Sequence, residues 1–493
     1  MGKLTYLLAF FCYLLAAPNT FAQQSFAKSF PALTEGWAIQ QTQDDGFIIT
    51  GRTGDIINIV DNDIFLLKTD VDGNELWSKT YGQNDLEQAF DLIQTQDGGY
   101  VIVGLSSSFS GGPTDVFFFK TDTEGNEIWQ KKYGGLNVPD QANTVLESKD
   151  GNALYLAGCY DCPRPPLDPG RHDCYIIKTD KFGNLSWSKI FGDANTKEEA
   201  FDMIELADGN LLVLGTIIHP NGNEDILLYK IDANGNVLFV KNFGGPSVEA
   251  ARKIIASNDG NFLIGGTSFA FDPQEIQPDA IVLKIDADGN EIWSKNYGGF
   301  GAEIITDIIM TNEGNIAFTG VTWSYGSEDG DFYLVNLDAD GNELWVSSTG
   351  GLGEQSAKGF AQTNDGGYAM VGISLIGPKM EFIKTDALGH LRSNNIHGKV
   401  FHDSSSDCLF QTDERNLANW MIEARGEQTF YGTTDENGHY SIPVEQGDYI
   451  VSIRPPNAYF SPCQNNYNIT LAEANDTSIL DFAMQTLIEC PSL

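Results

Sequence analysis

Hydrophobic residues in the first 395 positions fall into short runs bounded by turn sequences rich in Gly, Asn and Asp. One such unit predicts strands over 89–94, 100–104, 116–120 and 127–133, with tight Gly-containing turns joining the first pair and the last pair. The third strand is apolar on successive residues, as in Val116–Phe119, which is typical of a strand buried on both faces. The pattern therefore predicts an all-β protein built from four-stranded units.

The unit recurs along the chain. The phrase Asp72-Gly73-Asn74-Glu75-Leu76-Trp77 returns with a period of roughly 52 residues, which is typical of repeat architectures. Its glycines are Gly73, Gly125, Gly183, Gly235, Gly289, Gly341 and Gly389. Seven copies of a four-stranded unit predict a seven-bladed β-propeller over residues 23–395.

The two ends of the repeat region are predicted to complete one blade together. The fourth strand carries aromatic-x-Lys-x-aromatic, as in Trp77, Lys79 and Tyr81, and the copy after Gly389 lacks it. The missing pattern stands at the N-terminus as Phe26-Ala27-Lys28-Ser29-Phe30. We therefore expect residues 25–30 to supply the closing strand of blade seven, which leaves no free sheet edge.

The phrase Lys68–Tyr81 resembles the repeat of secreted propellers common in Bacteroidota, and similar phrases run from residue 26 to about 395. The resemblance implies export by the type IX route or surface display. The phrase also resembles the tryptophan-docking motif of quinoprotein propellers, although Asp70 and Gly73 stand one residue closer together than in that motif. In both families the tryptophan packs between blades.

The N-terminus and the charge favour an exported protein. Residues 1–22 read as a signal peptide, with Lys3, an apolar run over 4–17 and a small-residue cleavage site at 20–22. No later stretch is long enough to be a membrane-spanning helix. The net charge of −39 disfavours nucleic acid and anionic membrane surfaces as partners. We expect a secreted or cell-surface monomer.

Residues 396–493 form a different predicted domain. The phrase Thr434–Ile442, followed by Gly447–Val451, resembles the prealbumin-like B domains of bacterial adhesins of the collagen-adhesin and serine-aspartate-repeat types. The resemblance implies a prealbumin- or immunoglobulin-like β-sandwich that serves as a stalk. Such domains are usually followed by further modules, so the chain is expected to be a truncated piece of a longer adhesin.

Residues 403–414 have the oxygen spacing of an EF-hand loop, which predicts calcium. Serine-aspartate-repeat B domains resembling this one bind calcium at a matching stretch. The candidate ligands are Asp403, Ser405, Asp407, the Leu409 carbonyl, Gln411 and Glu414. Cys408 stands where the loop usually has Gly, and Ser405 where it usually has Asp or Asn. The alternative is an acidic turn without a metal.

Six cysteines follow the predicted signal peptide. Cys159 and Cys174 are expected to face each other across one hairpin and to form a disulfide, leaving Cys162 spare. A zinc site of Cys159, Cys162, His172 and Cys174 is the disfavoured alternative. In the C-terminal domain the favoured pair is Cys408 with Cys463. The state of Cys162 and Cys490 stays open.

Recognition is expected on the face that carries the loops between second and third strands, because these loops differ in length and chemistry. Candidate contact residues are Phe109, Tyr160, Phe269, Phe271, Trp323 and Tyr325. Recurring acids just before each first strand, such as Glu87 and Glu303, serve either the scaffold or a cation at the channel mouth. Recurring Asp residues before each third strand, such as Asp115, are expected to serve the scaffold.

The sequence favours a non-catalytic binding or adhesion protein for a glycan or a surface protein. GxSxG, HExxH and P-loop motifs are absent, and the six histidines are scattered. An endoglucanase-like, polysaccharide-active enzyme acting at the loop face is the alternative, because 68 acidic residues make carboxylate pairs inevitable. A purely structural surface component is the third reading. The ligand and the anchoring route stay open.

Overall fold

The computed structural model describes residues 25–486, apart from 33, 55–61, 84, 109–112, 136, 163–171, 246–247, 270–276, 326–328, 351–352, 376–377, 393, 413, 427–428, 456–458 and 473–475. The predicted signal peptide, Phe109, Phe271 and Cys490 lie outside this part. The described residues form β-strands and turns. Among them there is no helix long and apolar enough to cross a membrane.

Residues 26–385 form seven antiparallel four-stranded sheets within the described part, called repeat sheets 1 to 7. Sheet 1 contains β2 (Thr34–Gln41), β3 (Phe47–Thr53), β4 (Asp63–Thr69) and β5 (Glu75–Tyr81). Sheet 2 contains β6 (Glu87–Gln94), β7 (Tyr100–Ser106), β8 (Asp115–Thr121) and β9 (Glu127–Tyr133). Sheet 3 contains β10 (Gln141–Glu147), β11 (Ala153–Tyr160), β12 (Asp173–Asp180) and β13 (Leu185–Phe191).

Sheets 4 to 7 repeat this order. Sheet 4 contains β14 (Lys197–Glu205), β15 (Leu211–Ile218), β16 (Glu224–Ile231) and β17 (Val237–Phe243). Sheet 5 contains β18 (Glu249–Ala256), β19 (Phe262–Ser268), β20 (Asp279–Ile285) and β21 (Glu291–Tyr297). Sheet 6 contains β22 (Glu303–Met310), β23 (Ile316–Thr322), β24 (Asp331–Leu337) and β25 (Glu343–Thr349). Sheet 7 contains β26 (Gln355–Gln362), β27 (Tyr368–Ser374), β28 (Lys379–Thr385) and β1 (Phe26–Ala32).

The turn phrase closes the hairpin between the third and fourth strands. In sheet 1, Asp70 Oδ1 accepts the amides of Asp72 and Asn74 at 3.0 and 2.7 Å, and Oδ2 accepts the Asn74 side chain. Gly73 has a φ of 71°, a conformation that a side chain disfavours. The second and third strands are buried almost throughout, whereas the fourth is largely exposed. The predicted all-β fold of four-stranded propeller units is confirmed.

Neighbouring sheets are joined by a contact that recurs around the ring, called the inter-sheet clip. In sheet 1 the Trp77 ring packs against Gly125 of sheet 2, where an added Cβ would lie 2.7 Å from the ring. Lys79 Nζ donates to Asn126 Oδ1 at 2.7 Å, and Tyr81 Oη donates to the Gly125 carbonyl at 2.5 Å. The aromatic and lysine residues of the fourth strand therefore bind the turn phrase of the next sheet.

The N-terminal strand makes the same contact between sheets 7 and 1. β1 pairs antiparallel with β28, with Phe26 opposite Lys384. Phe26 packs on Gly73, and Lys28 Nζ donates to Asn74 Oδ1 at 2.7 Å. Phe26 also belongs to a buried cluster that contains residues of both sheets, such as Phe47 and Phe382. The two ends of the repeat region thus meet in one core.

The C-terminal residues form two further sheets. One contains β29 (Asn394–His402), β30 (Arg415–Asn416), β33 (His439–Val444), β35 (Phe460–Pro462), β37 (Thr477–Ile479) and β38 (Phe482–Thr486). The other contains β31 (Met421–Arg425), β32 (Thr429–Thr433), β34 (Gly447–Arg454) and β36 (Asn466–Leu471). Both sheets contribute to one hydrophobic core, which includes Ile396, Trp420, Tyr440, Val451 and Phe482.

The disulfides differ in part from those expected. Cys408 is joined to Cys463, whereas Cys159 is joined to Cys162, so the predicted Cys159–Cys174 bridge is wrong. Cys159 and Cys174 do stand opposite each other on β11 and β12. However, the chain turns back at Asp161, which has a φ of 55°, and brings the Cα of Cys162 to 5.6 Å from that of Cys159. Cys174 is left as a free, buried thiol.

Candidate functional site

The first strands of all seven repeat sheets surround a central cavity of about 710 Å³. Each of these strands has a register shift, as between Ala89 and Asp91 or between Ala251 and Lys253. A β-bulge lets two consecutive side chains point to the same side of a strand. Each strand therefore presents two neighbouring residues to the cavity instead of one.

The bulges divide the cavity wall into layers. The first, called the bulge layer, contains Trp37, Phe90, Asn143, Phe201, Arg252, Thr306 and Lys358. The second, called the carboxylate layer, contains Ala38, Asp91, Thr144, Asp202, Lys253, Asp307 and Gly359. The third, two residues further along each strand, is called the aliphatic layer and contains Ile93, Leu146, Ile204, Ile255 and Ile309 beside Gln40.

Each cation of the bulge layer lies beside an aromatic ring. Lys358 Nζ lies 5.5 Å from the centre of the Trp37 ring, and the Arg252 guanidinium lies 5.1 Å from that of Phe201. The Trp37 and Phe90 rings meet edge to face at 5.3 Å. Burial lowers the pKa of both the Lys358 ammonium and the Arg252 guanidinium, because both side chains are removed from water.

Glu199, near the start of β14, interacts electrostatically with Arg252. Its Oε1 accepts the side-chain amides of Asn143 at 2.8 Å and Gln141 at 3.1 Å. Burial raises the pKa of Glu199, and the Arg252 charge opposes that shift. The bulge layer thus contains two cations and one neighbouring carboxylate.

Three carboxylates dominate the next layer. The Thr144 hydroxyl lies 3.0 Å from Asp91 Oδ2 and 3.2 Å from Asp202 Oδ1, so it bridges the two carboxylates. Lys253 Nζ lies 3.8 Å from Asp202 Oδ1. Asp307 accepts the Ile308 amide at 2.8 Å and, within the described part of the chain, has no other hydrogen bond to its carboxylate. Burial raises the pKa of Asp307 to about 7.

Those aromatic residues predicted for the loop face that the structure describes do not form one cluster. Tyr160 packs edge to face on Tyr175 in sheet 3, with ring centres 5.7 Å apart. Tyr325 stacks on Tyr333 in sheet 6, at 5.8 Å. Phe269 of sheet 5 is exposed. Tyr160 and Tyr325 therefore pack against their own sheets.

The loop face carries a residue that was not predicted. Phe300, in the connection between sheets 5 and 6, is 101% exposed relative to a free side chain. Its connection is fixed to the next loop, because the Gly301 amide donates to Ser324 Oγ at 2.8 Å and the Trp323 amide donates to the Ala302 carbonyl at 2.9 Å. The Trp323 ring packs on Gly330 of the same loop. Phe300 is thus held at the surface beside the Trp323–Tyr325 segment.

The recurring acidic residues of this face form hydrogen bonds or ion pairs that stabilise the connections between sheets. Glu87 Oε2 accepts the Gln83 amide at 2.9 Å, and Oε1 accepts the Ser106 hydroxyl at 2.7 Å. Glu303 binds the Gly299 amide and the Thr322 hydroxyl in the same way. Asp115 forms an ion pair with Lys132 at 3.0 Å. These contacts are those of scaffold residues.

The predicted calcium loop is compact, and most of its candidate ligands contact one another. Ser405 Oγ lies 3.2 Å from Asp403 Oδ1 and 3.1 Å from Gln411 Oε1, and Gln411 Nε2 donates to Asp407 Oδ2 at 2.7 Å. Glu414 accepts the Ser404 amide on one oxygen and the Gln411 amide on the other. The loop brings oxygens together as a hard cation requires, but here Glu414 binds backbone amides.

Two other predicted sites are changed by the disulfides. With Cys159 and Cys162 bonded to each other, the Cys₃His set is not assembled among the described residues. Burial lowers the pKa of His172 to about 4, and burial raises the pKa of the Cys174 thiol. Cys463 Sγ lies 3.4 Å from Asp403 Oδ2, so the Cys408–Cys463 bridge borders the candidate calcium loop.

Comparison with known proteins does not assign the chain to a family. No protein-family model matches the chain. The regulatory protein FlaEY of Caulobacter vibrioides is 25% identical over an alignment of 177 residues. The alignment covers 32% of this chain and only 18% of that protein. Its likeness therefore carries no activity over to this chain.

Solved structures with similar folds are remote in sequence. Sqt1 from Chaetomium thermophilum is 10% identical, with 84% of this chain and 97% of that one covered at a TM-score of 0.41. The Pan2 WD40 domain of Neurospora crassa is 9% identical, and the match covers 74% of this chain and 96% of that one at a TM-score of 0.48. A protein of unknown function from Dyadobacter fermentans is 11% identical, and the match covers 73% of this chain and 97% of that one at a TM-score of 0.42. These likenesses concern the fold alone.

The cavity residues were not among those predicted from the sequence. A signal for them exists in the first strands, where Asp91, Asp202, Lys253 and Asp307 directly precede two apolar residues at the same repeat position. Charged residues at that position are unusual for strands that a propeller places around its axis.

Proposed function

We propose that the protein is an exported, non-catalytic binding or adhesion protein whose loop face contacts a glycan or a surface protein. In this proposal the seven repeat sheets are the blades of a seven-bladed propeller, and the C-terminal sheets are a prealbumin-like stalk. The observation that carries the binding role is Phe300, a fully exposed aromatic residue on a connection that is itself held by hydrogen bonds.

The contrast between the two faces supports the same proposal. One face consists of short turns closed by residues such as Gly73 and Gly125, which have positive φ. On the other face, the segments between second and third strands range from the four residues 375–378 to the twelve residues 161–172. Variable segments on a rigid scaffold are where proteins usually place recognition. An exposed aromatic side chain offers a stacking surface for a sugar ring or an apolar side chain.

A glycan-array screen of residues 23–493, paired with a polysaccharide-hydrolysis assay, tests the proposal. Binding without release of reducing ends supports it, and Phe300→Ser should then weaken binding. Leu344→Ser is the matched control, because Leu344 is a 52% exposed apolar residue on the outer strand of sheet 6, away from the loop face. Release of reducing ends would instead identify an enzyme. Equal loss in both variants would contradict a specific role of the loop face.

We also propose that residues 403–414 bind calcium. Asp403, Ser405 and Gln411 already have oxygens near one another, and Asp407 contacts the Gln411 side chain. The Leu409 carbonyl would complete the set. Glu414 would exchange its backbone partners for the ion. Because Cys408 replaces the usual Gly, we expect affinity at the weak end of the roughly 10⁻⁴ to 10⁻³ M range of extracellular modules.

Thermal melting with millimolar calcium or chelator tests this site. A ligand bound only by the folded state stabilises it by RT ln(1 + [L]/Kd), which is about 1.4 kcal/mol at tenfold excess over Kd. Calcium should raise the melting temperature of the parent more than that of Glu414→Gln. Superimposable curves, or an equal response of both proteins, would mean that the loop is only an acidic turn.

A further inference from the structure

The central cavity contains two buried cations that form no ion pair with a described carboxylate, although the charges of Glu199 and Glu224 act on Arg252 and those of Glu35 and Glu354 act on Lys358. Within the described residues, Lys358 Nζ makes no hydrogen bond or ion pair, and its described contact is the Trp37 ring. The Arg252 guanidinium makes one long hydrogen bond, 3.4 Å, to the Ala251 carbonyl and no ion pair. In a chain with a net charge of −39, cations without paired carboxylates are unexpected.

The next layer has the opposite imbalance. Asp91, Asp202 and Asp307 face a single ammonium, that of Lys253. Asp91 and Asp202 are partly satisfied, because they accept the amides of Val145 and Ile254 from the following sheets at 3.0 and 2.9 Å. Asp307 has no such partner, since its described hydrogen bond comes from the adjacent Ile308. One carboxylate thus remains available to a ligand.

The bulge layer and the carboxylate layer are separated by about one residue along each first strand. They consist of consecutive residues on bulged strands, so their backbones lie roughly 3.3 Å apart along the strand. An ammonium and a carboxylate on one small molecule span about this distance. Beyond the carboxylates, Ile93, Ile204 and Ile309 offer an aliphatic wall. The cavity volume of about 710 Å³ is in the range of small-molecule sites.

We infer that the central cavity binds a small aliphatic zwitterion, a free amino acid, with its carboxylate at Arg252 and Lys358 and its ammonium at Asp307. The carboxylate neutralises the two buried cations. The ammonium offsets the excess negative charge of the carboxylate layer, and the aliphatic side chain packs on the isoleucines below. This inference does not depend on recognition at the loop face, which uses different residues.

Isothermal titration of the full chain from residue 23 tests the inference with four probes. L-Leucine represents the free amino acid, and its binding supports the inference, whereas leucyl-glycine should bind more weakly because a peptide unit separates its ammonium from its carboxylate. N-Acetyl-leucine lacks the cation and leucinamide lacks the anion. Both should bind at least about tenfold more weakly than L-leucine, because each leaves one buried charge unpaired.

Variants of the cavity wall complete the test. Lys358→Met and Asp307→Asn should each weaken binding at least about tenfold. Lys131→Met is the control, because Lys131 donates to Asn184 on the outer rim and should leave binding unchanged. Melting curves check folding, and Arg252→Gln replaces Lys358→Met if that variant does not fold.

Three results would overturn the inference. The first is no heat of binding for L-leucine at about 10 mM, a tenfold excess over a millimolar Kd. The second is equal binding of N-acetyl-leucine or leucinamide. The third is unchanged affinity in folded variants of both cavity layers. A negative result here with a positive glycan array would leave loop-face binding intact.

Discussion

Closure of the ring by the N-terminal strand can be tested with the substitution Phe26→Ala. The Phe26 side chain is 6% exposed, meets Phe382 edge to face at 5.0 Å and packs on Gly73 of sheet 1. Truncating a buried Phe to Ala costs about 3–5 kcal/mol, and loss of the aromatic pair accounts for about 0.5–1.5 kcal/mol of such a cost. We therefore expect the free energy of unfolding of the propeller to fall by at least about 3 kcal/mol.

The matched control is Phe239→Ala. Phe239 occupies the same place in the clip between sheets 4 and 5, where Lys241 Nζ donates to Asn290 Oδ1 at 2.7 Å. Phe239 belongs to a strand connected to its sheet through the chain on both sides, so its contact cannot be lost by fraying of a terminus. It is half-buried, so its loss should cost no more than that of Phe26.

Urea unfolding followed by tryptophan fluorescence measures both variants. Seven of the eight tryptophans lie in the repeat region, so the signal reports mainly on the propeller. Deletion of residues 23–31 should lower the melting temperature of the whole propeller. The closure argument is refuted if Phe26→Ala costs less than about 1 kcal/mol while Phe239→Ala costs more, since this is the signature of a strand that frays independently.

Three further predictions concern the cysteines, the calcium loop and the cavity. Mass mapping of the oxidised protein should link Cys159 to Cys162 and find Cys174 free; a Cys159–Cys174 peptide would contradict the structure. Calcium should protect the loop around Glu414 from hydrogen exchange, and unchanged exchange would contradict the site. Because burial raises the pKa of Asp307 to about 7, the native state keeps a proton that the unfolded state releases from about pH 4 upwards, and stability falls across this window. The melting temperature of Asp307→Asn should therefore rise relative to that of the parent as the pH increases from 4 to 8. A difference in melting temperature that does not change with pH would refute this.

Much of the repeat region could be predicted because its determinants are local. The turn at Asp70–Asn74 is closed by contacts within five residues, and the unbroken apolar run of the third strand depends only on burial on both faces. The aromatic and lysine residues of the fourth strand, such as Trp77 and Lys79, repeat because each contacts a similar turn. Local rules repeated along a chain leave a pattern that can be read.

The disulfide of sheet 3 shows where such reading fails. Strand alignment placed Cys159 opposite Cys174, and the two residues are opposite in the structure. Their pairing is decided instead by the chain after β11, where the Cys162 amide donates to the Pro139 carbonyl at 2.7 Å and folds Cys162 back. That contact comes from the preceding connection, which no hydrophobic period encodes. A sequence pattern therefore predicts which residues face each other on paired strands, but it does not decide which of two nearby cysteines forms the disulfide with Cys159.

The cavity was missed for a related reason, and the reason bears on function. Period-two alternation assigns Phe90 and Asp91 to opposite faces, whereas the bulge directs both to the axis. The bulge recurs in every sheet, yet the residue that follows it ranges from Gly359 to Asp307 and Lys253. The clip residues on the rim vary far less, because each must fit a similar turn. Chemistry that differs between sheets at a fixed structural position is not required by the scaffold, so the axis, together with the loop face, is where this propeller can acquire a ligand.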